Sequence, residues 1–101
     1  SKIKEKFNCI GDPYAKWYWL YTKEPQEMKN CFAVITCGVG TANICMRVDS
    51  ETFSYEDELI RTVKGFFFPE GHERRISIKL DTVDNILKYL EHSVKVTENL
   101  N

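Results

Sequence analysis

A chain of 101 residues, 43% hydrophobic and 13% aromatic, has room for one hydrophobic core and not for two, so residues 1–101 are expected to form a single domain. Fourteen Lys and Arg against fifteen Asp and Glu give a formal net charge of -1, which excludes the broad basic footprint of a general nucleic-acid binder and confines any such contact to a local patch. No apolar run reaches the roughly 18–20 residues that cross a bilayer, and Ser1-Lys2-Ile3-Lys4-Glu5-Lys6 is not followed by a signal-peptide core, so no membrane contact is expected.

The chain opens on Ser1 rather than Met, which is expected either of a trimmed chain or of a module of a longer protein. Its four cysteines, Cys9, Cys31, Cys37 and Cys45, form no C-x-x-C pair and have no paired His at zinc-site spacing, so neither a metal nor another cofactor is expected. Cys31, Cys37 and Cys45 sit inside apolar strand-like runs where a thiol behaves as a small hydrophobe, which favours reduced cysteines and a cytoplasmic setting over a secreted disulfide framework.

In chain order, Gly11-Asp12-Pro13 punctuates the sequence before Trp17-Tyr18-Trp19-Leu20-Tyr21-Thr22, a run whose aromatic content predicts a strand. Lys23 to Asn30 is polar and broken by proline, as a connecting loop is. Cys31–Cys37 and Ala42–Val48 flank Gly38-Val39-Gly40-Thr41 and predict a β-hairpin. Within the second run Ile44, Met46 and Val48 alternate with Asn43, Cys45 and Arg47, which puts apolar residues on one face and polar residues on the other. Ser54, three residues before Asp57 and ahead of Leu59, Ile60 and Val63, resembles a helix start and predicts a short helix over about Tyr55–Lys64, stopped by Gly65. Arg74–Leu80 alternates again, with Ile76, Ile78 and Leu80 inward. Asp81 or Thr82 can cap a last helix whose Val83, Ile86, Leu87, Leu90 and Val94 make one apolar stripe, and the tail from Thr97 is expected to fray. The fold class that results is α+β: a small antiparallel sheet packed on one face by a C-terminal helix and a short second helix.

The residues richest in chemistry are Gly65-Phe66-Phe67-Phe68-Pro69-Glu70-Gly71-His72-Glu73-Arg74-Arg75. Here His72 can act as a base near neutral pH, with Glu70 or Glu73 orienting the ring and Arg74 or Arg75 neutralising an anion. The plainer reading is that the phenylalanines fill core and wall while Pro69 to His72 turns the chain into the next strand. His92, two positions beyond Leu90, falls off the apolar stripe and is expected at the surface. Gly38-Val39-Gly40 opens a strand rather than a helix, which suits a hairpin and not a phosphate loop. If the strands ending at Val48 and Leu80 share a sheet, Arg47, Arg75 and Lys79 project from its polar face as a basic strip, or as an ordinary solvated face balanced by acids. Such a strip suits a phosphate backbone or a carboxylate, and exposed members of the Trp17 and Trp19 strand could stack on bases beside it. Core filling is the competing use of those aromatics.

The hairpin Phe32-Ala33-Val34-Ile35 to Ile44-Cys45-Met46-Arg47-Val48, then Gly65, then Gly71-His72-Glu73-Arg74-Arg75-Ile76-Ser77-Ile78 and Asp84-Asn85-Ile86-Leu87-Lys88-Tyr89-Leu90 are similar in pattern to a small bacterial domain of unknown function. That domain is sometimes labelled a predicted transport protein and is often appended to predicted nucleases and restriction-type proteins. The resemblance covers about two-thirds of the chain, from Cys31 onward, and leaves out the aromatic strand at Trp17–Tyr21. It implies an accessory module and brings no catalytic residue with it.

Three functions follow as expectations. The first is a non-catalytic accessory or binding domain that meets a protein or nucleic-acid partner through the polar sheet face or the Phe66–Arg75 loop. The second is a small enzyme or small-molecule pocket centred on His72, Glu73 and Arg75, with the aromatic strand as its wall. The third is a homo-oligomer held by exposed aromatics.

Overall fold

The computed structural model describes residues 10–12, 17–38, 41–54, 60–62, 65–79 and 82–100. Six antiparallel strands, β1 (Ile10–Asp12), β2 (Tyr18–Tyr21), β3 (Cys31–Gly38), β4 (Thr41–Arg47), β5 (Ile60–Thr62) and β6 (Glu73–Ser77), form one sheet in the order β1-β2-β3-β4-β6-β5. Helix α1 (Val83–Asn99) packs across β3 and β4. The α+β fold, with an antiparallel sheet covered on one face by a C-terminal helix, is thus the one its alternating runs specify.

The register divides the side chains between two faces. Ala33 pairs with Met46, Ile35 with Ile44, and Ile44 in turn with Ile76, and these residues meet Leu20, Ile86, Tyr89 and Leu90 in the main core under α1. The opposite face carries Trp19 against Val34, Val34 against Cys45, Cys45 against Arg75 and Arg47 against Glu73. A bulge breaks the alternation at one point. Leu20 pairs with Ala33 but Tyr21 pairs with Cys31, so Phe32 is the extra residue. As a result Phe32 and Ala33, adjacent in sequence, both belong to the helix-side core, while Cys31 and Val34 belong to the second cluster.

Three local expectations are corrected. Ile60–Thr62 is strand β5 rather than helix, while residues 55–59 and 63–64 of the expected helix lie outside the described residues. Pairing satisfies backbone groups that β6 would otherwise leave at a sheet edge, and it brings Ile60 onto the core opposite Ile76; those long-range gains outweigh the local helical pattern. On α1, Thr82 is the N-cap, its Oγ1 accepting from Asn85 N–H at 3.2 Å. The buried positions, however, are Ile86, Tyr89, Leu90, Ser93 and Thr97, and Val83 is 51% exposed. The helix is rotated toward its small hydroxyl residues because these satisfy themselves: Ser93 Oγ donates to Tyr89 O at 3.2 Å and Thr97 Oγ1 to Ser93 O at 2.8 Å, which lets polar residues enter a packed interface. For the same reason the tail does not fray at Thr97, which is fully buried within a helix that runs to Asn99. Among the described residues no helix is long and apolar enough to cross a membrane.

Candidate functional site

The Phe66–Arg75 segment folds as a loop laid over the sheet face opposite α1, then as a turn, then as strand β6. Gly65 enters the loop with φ 75°, a left-handed conformation that glycine adopts without a side-chain clash. Behind it the three phenylalanines are graded from inside to outside. Phe68 is buried with Tyr21, Cys31 and Val34. Phe67 is half-buried, its ring edge-on to Trp17 and Trp19 at 5.2 and 5.3 Å. Phe66 is 66% exposed, 5.9 Å from Trp17 and 4.7 Å from Phe67. Trp17 and Trp19, both half-buried and 6.1 Å apart, complete an aromatic ridge in edge-to-face and tilted geometries that favour ring association.

The ridge is fixed from below by one carboxyl group. Glu73 is fully buried, and its Oε1 accepts from Phe67 N–H at 2.7 Å and Phe68 N–H at 2.8 Å. Pro69–His72 closes as a turn, with His72 N–H donating to Pro69 O at 2.9 Å and Gly71 at φ 84° in its third position, where a positive φ is required. The plainer sequence reading, phenylalanines as core and wall followed by a chain turn, fits Phe68, Phe67 and the Pro69–His72 turn, whereas Phe66 stands outside the core.

The candidate binding residues are therefore not one patch. Arg47 is 8% exposed; its Nη2 donates to Met28 O at 2.8 Å and its guanidinium lies 4.8 Å from the Phe68 ring centre. Burial pulls the Arg47 pKa below its ordinary value. Arg75 is half-buried opposite Cys45, and Lys79 is exposed in the turn beyond β6. A solvent-facing strip of Arg47, Arg75 and Lys79 is thus not assembled: Arg47 is held inward by a carbonyl and a ring. His72 and Glu73 also diverge, since Glu73 supports the ridge while His72 turns its Nδ1 to Val48 O at 3.1 Å. Cys31, Cys37 and Cys45 are free. Burial pushes the Cys31 thiol up to about 11 and raises that of Cys45 as well, so both are protonated near neutral pH and are poor nucleophiles. Among the described residues no three His, Cys, Asp or Glu side chains are grouped to hold a metal ion.

Sequence reasoning missed a cleft of about 640 Å³ between the chain leaving β4, the Pro69–His72 turn and the last turns of α1. Its histidines sit at the two ends of one peptide group. His72 Nδ1 faces the carbonyl of Val48, and His92 Nε2 faces the N–H of Asp49 at 3.2 Å. A carbonyl can only accept and an N–H only donate, so His72 carries its proton on Nδ1 and His92 on Nδ1 also, leaving Nε2 of His72 and Nδ1–H of His92 as the uncommitted ring positions. The helical period had placed His92 at the surface. Because Tyr89 and Ser93 are the buried neighbours, the ring instead lies half-buried, 5.0 Å from Phe53.

His92 yields a pH prediction. Burial lowers its pKa, Lys95 lowers it further and Asp49 opposes them, so the folded state binds fewer protons than the unfolded chain around the ordinary value of about 6.5. Stability is complete above that value and falls as pH drops through it toward the lower folded pKa. Urea melts at about pH 7.5 and about pH 5.5 should show the loss, and His92→Gln, which keeps an acceptor for Asp49 N–H but does not titrate, should reduce it. An unchanged pH dependence in that variant would remove His92 as its source.

Compared with known proteins, the chain matches no family model and no curated sequence.

Proposed function

We propose that this domain is a non-catalytic binding module whose aromatic ridge, Trp17, Trp19, Phe66 and Phe67, meets a partner protein. The observation that carries the reading is Phe66: a phenyl ring 66% exposed on a loop whose next two amides are tied to a buried carboxyl group. Solvent gives such a ring no reason to be held outward in a fixed position, whereas a partner's apolar pocket does, and preorganisation lowers the entropy cost of binding. A nucleic-acid partner is the less supported choice. The rings wall one another edge-on instead of offering successive flat faces, and Arg47 is turned inward, so both the stacking platform and the backbone-tracking cations of a single-strand binder are weak here. An accessory module is also what the resemblance from Cys31 onward implies. Free thiols at Cys31, Cys37 and Cys45 support a reducing compartment such as the cytoplasm.

The test replaces Phe66 with a photo-cross-linking phenylalanine analogue, and Lys88, exposed on α1, with the same residue as a control. Irradiation in a cell extract should give a discrete protein adduct from position 66 and none from position 88, and Phe66→Ser should weaken capture of that partner at least tenfold with an unchanged melt. An adduct of twice the chain mass would make the partner a second copy. A nuclease-sensitive adduct, or none at all, overturns the proposal.

A further inference from the structure

We infer that the cleft between the end of β4, the Pro69–His72 turn and the last turns of α1 is a second binding site, and that it takes a small carboxylate with an apolar body. The inference is independent of the aromatic ridge and of the partner proposed for it. At about 640 Å³ the cleft falls within the roughly 300–1,000 Å³ of small-molecule sites. Pro69, Val96 and Leu100 supply apolar wall, so the ligand needs an apolar body to cover them.

Charge decides what the rest of the ligand carries. The permanent charges lining the cleft are Arg47, Lys95 and Asp49, two cations against one acid. Arg47 is committed to Met28 O and the Phe68 ring, and Asp49 Oδ1 accepts from Glu51 N–H at 3.1 Å. Among the described residues Lys95 has neither an ion pair nor a hydrogen bond, and it is close enough to His92 to lower its pKa. The neutral donors are His92 Nδ1–H, fixed in that tautomer because Nε2 accepts from Asp49 N–H, and those of Thr52 and Asn99, which also line the cleft. One uncommitted cation with neutral donors around it matches a single negative charge; a dianion such as a phosphate monoester would be left under-neutralised.

The experiment titrates the isotopically labelled full chain with 2-naphthoate, with its neutral isostere 2-naphthamide and with 2-naphthyl phosphate, following the ring signals of His72 and His92 and the amide of Val96 by NMR. Naphthoate should move these signals saturably and bind about tenfold more tightly than the amide. Lys95→Met, a change at an exposed position that keeps the alkyl stem, should weaken naphthoate about tenfold and leave the amide unaffected. Equal binding of acid and amide, or an unchanged affinity in Lys95→Met, would refute the charge argument. Tighter binding of the phosphate ester would refute the carboxylate, and the absence of any saturable shift would refute the site.

Discussion

Glu73→Ala should lower stability by about 3–5 kcal/mol, a large share of what a domain of this size has. The estimate comes from the two backbone donors, Phe67 N–H and Phe68 N–H, that converge on one fully buried carboxyl oxygen. Alanine leaves both amides without an acceptor, one buried and one half-buried, and a buried orphan costs about 1–3 kcal/mol. A domain of about 100 residues is stable by roughly 5–15 kcal/mol, and each kcal/mol moves Tm by roughly 4–8 °C. The melting temperature should therefore fall by roughly 12–40 °C. Glu73→Gln keeps an acceptor oxygen for the two amides and should cost much less, about 1 kcal/mol. The fluorescence of Trp17 and Trp19, which pack against Phe67, should shift toward that of exposed indole in the alanine variant even below its melt. If Glu73→Ala melts within about 2 °C of the parent, the clamp contributes no stability and the ridge is held by ring packing alone.

That clamp also marks where sequence reasoning stops. The hairpin of β3 and β4, the alternation of β6 and the capped final helix follow from residue periods, because burying one face of a strand or helix leaves that period in the sequence. Glu73 carries no such mark. It sits among charged neighbours in Gly71-His72-Glu73-Arg74-Arg75 and reads as a solvated residue or the partner of His72, yet it is fully buried and serves amides five and six positions upstream. What buries it is the loop folding back across the sheet, a tertiary event without a local period. The cleft was hidden for a related reason, since it joins residues from three segments far apart in sequence. One signal was present: on α1, Tyr89, Ser93 and Thr97 are four residues apart, and treating small hydroxyl residues as candidates for burial would have turned His92 toward the protein. The β5 error has the opposite character. Ser54 and the spacing of Leu59, Ile60 and Val63 are good local helix signals, and the vacant edge of β6 outcompeted them at Ile60–Thr62.

Gly65→Ala separates a rigid ridge from a merely crowded one. At Gly65 the backbone has φ 75°, and a Cβ would stand 2.6 Å from Phe68 O, 2.8 Å from Glu70 N and 3.1 Å from Pro69 C. All three are backbone atoms of the turn that follows, so no side chain can rotate away to relieve the contact. A left-handed conformation costs a non-glycine residue about 1–3 kcal/mol, and displacing the turn adds to it, giving an expected loss of about 3 kcal/mol or more. Gly71→Ala is the internal control. Its φ is 84°, but nothing lies within 4 Å of the added Cβ, so only the conformational cost of about 1 kcal/mol applies. Denaturant melts of the two variants should therefore differ by about 2 kcal/mol. Since Gly65 begins the loop that carries Phe66, the same substitution should also abolish the adduct formed from position 66, while Gly71→Ala should preserve it. Equal losses in the two variants would mean that the turn yields to the added methyl group. The loop would then be adaptable, and the outward placement of Phe66 could no longer count as preorganisation for a partner.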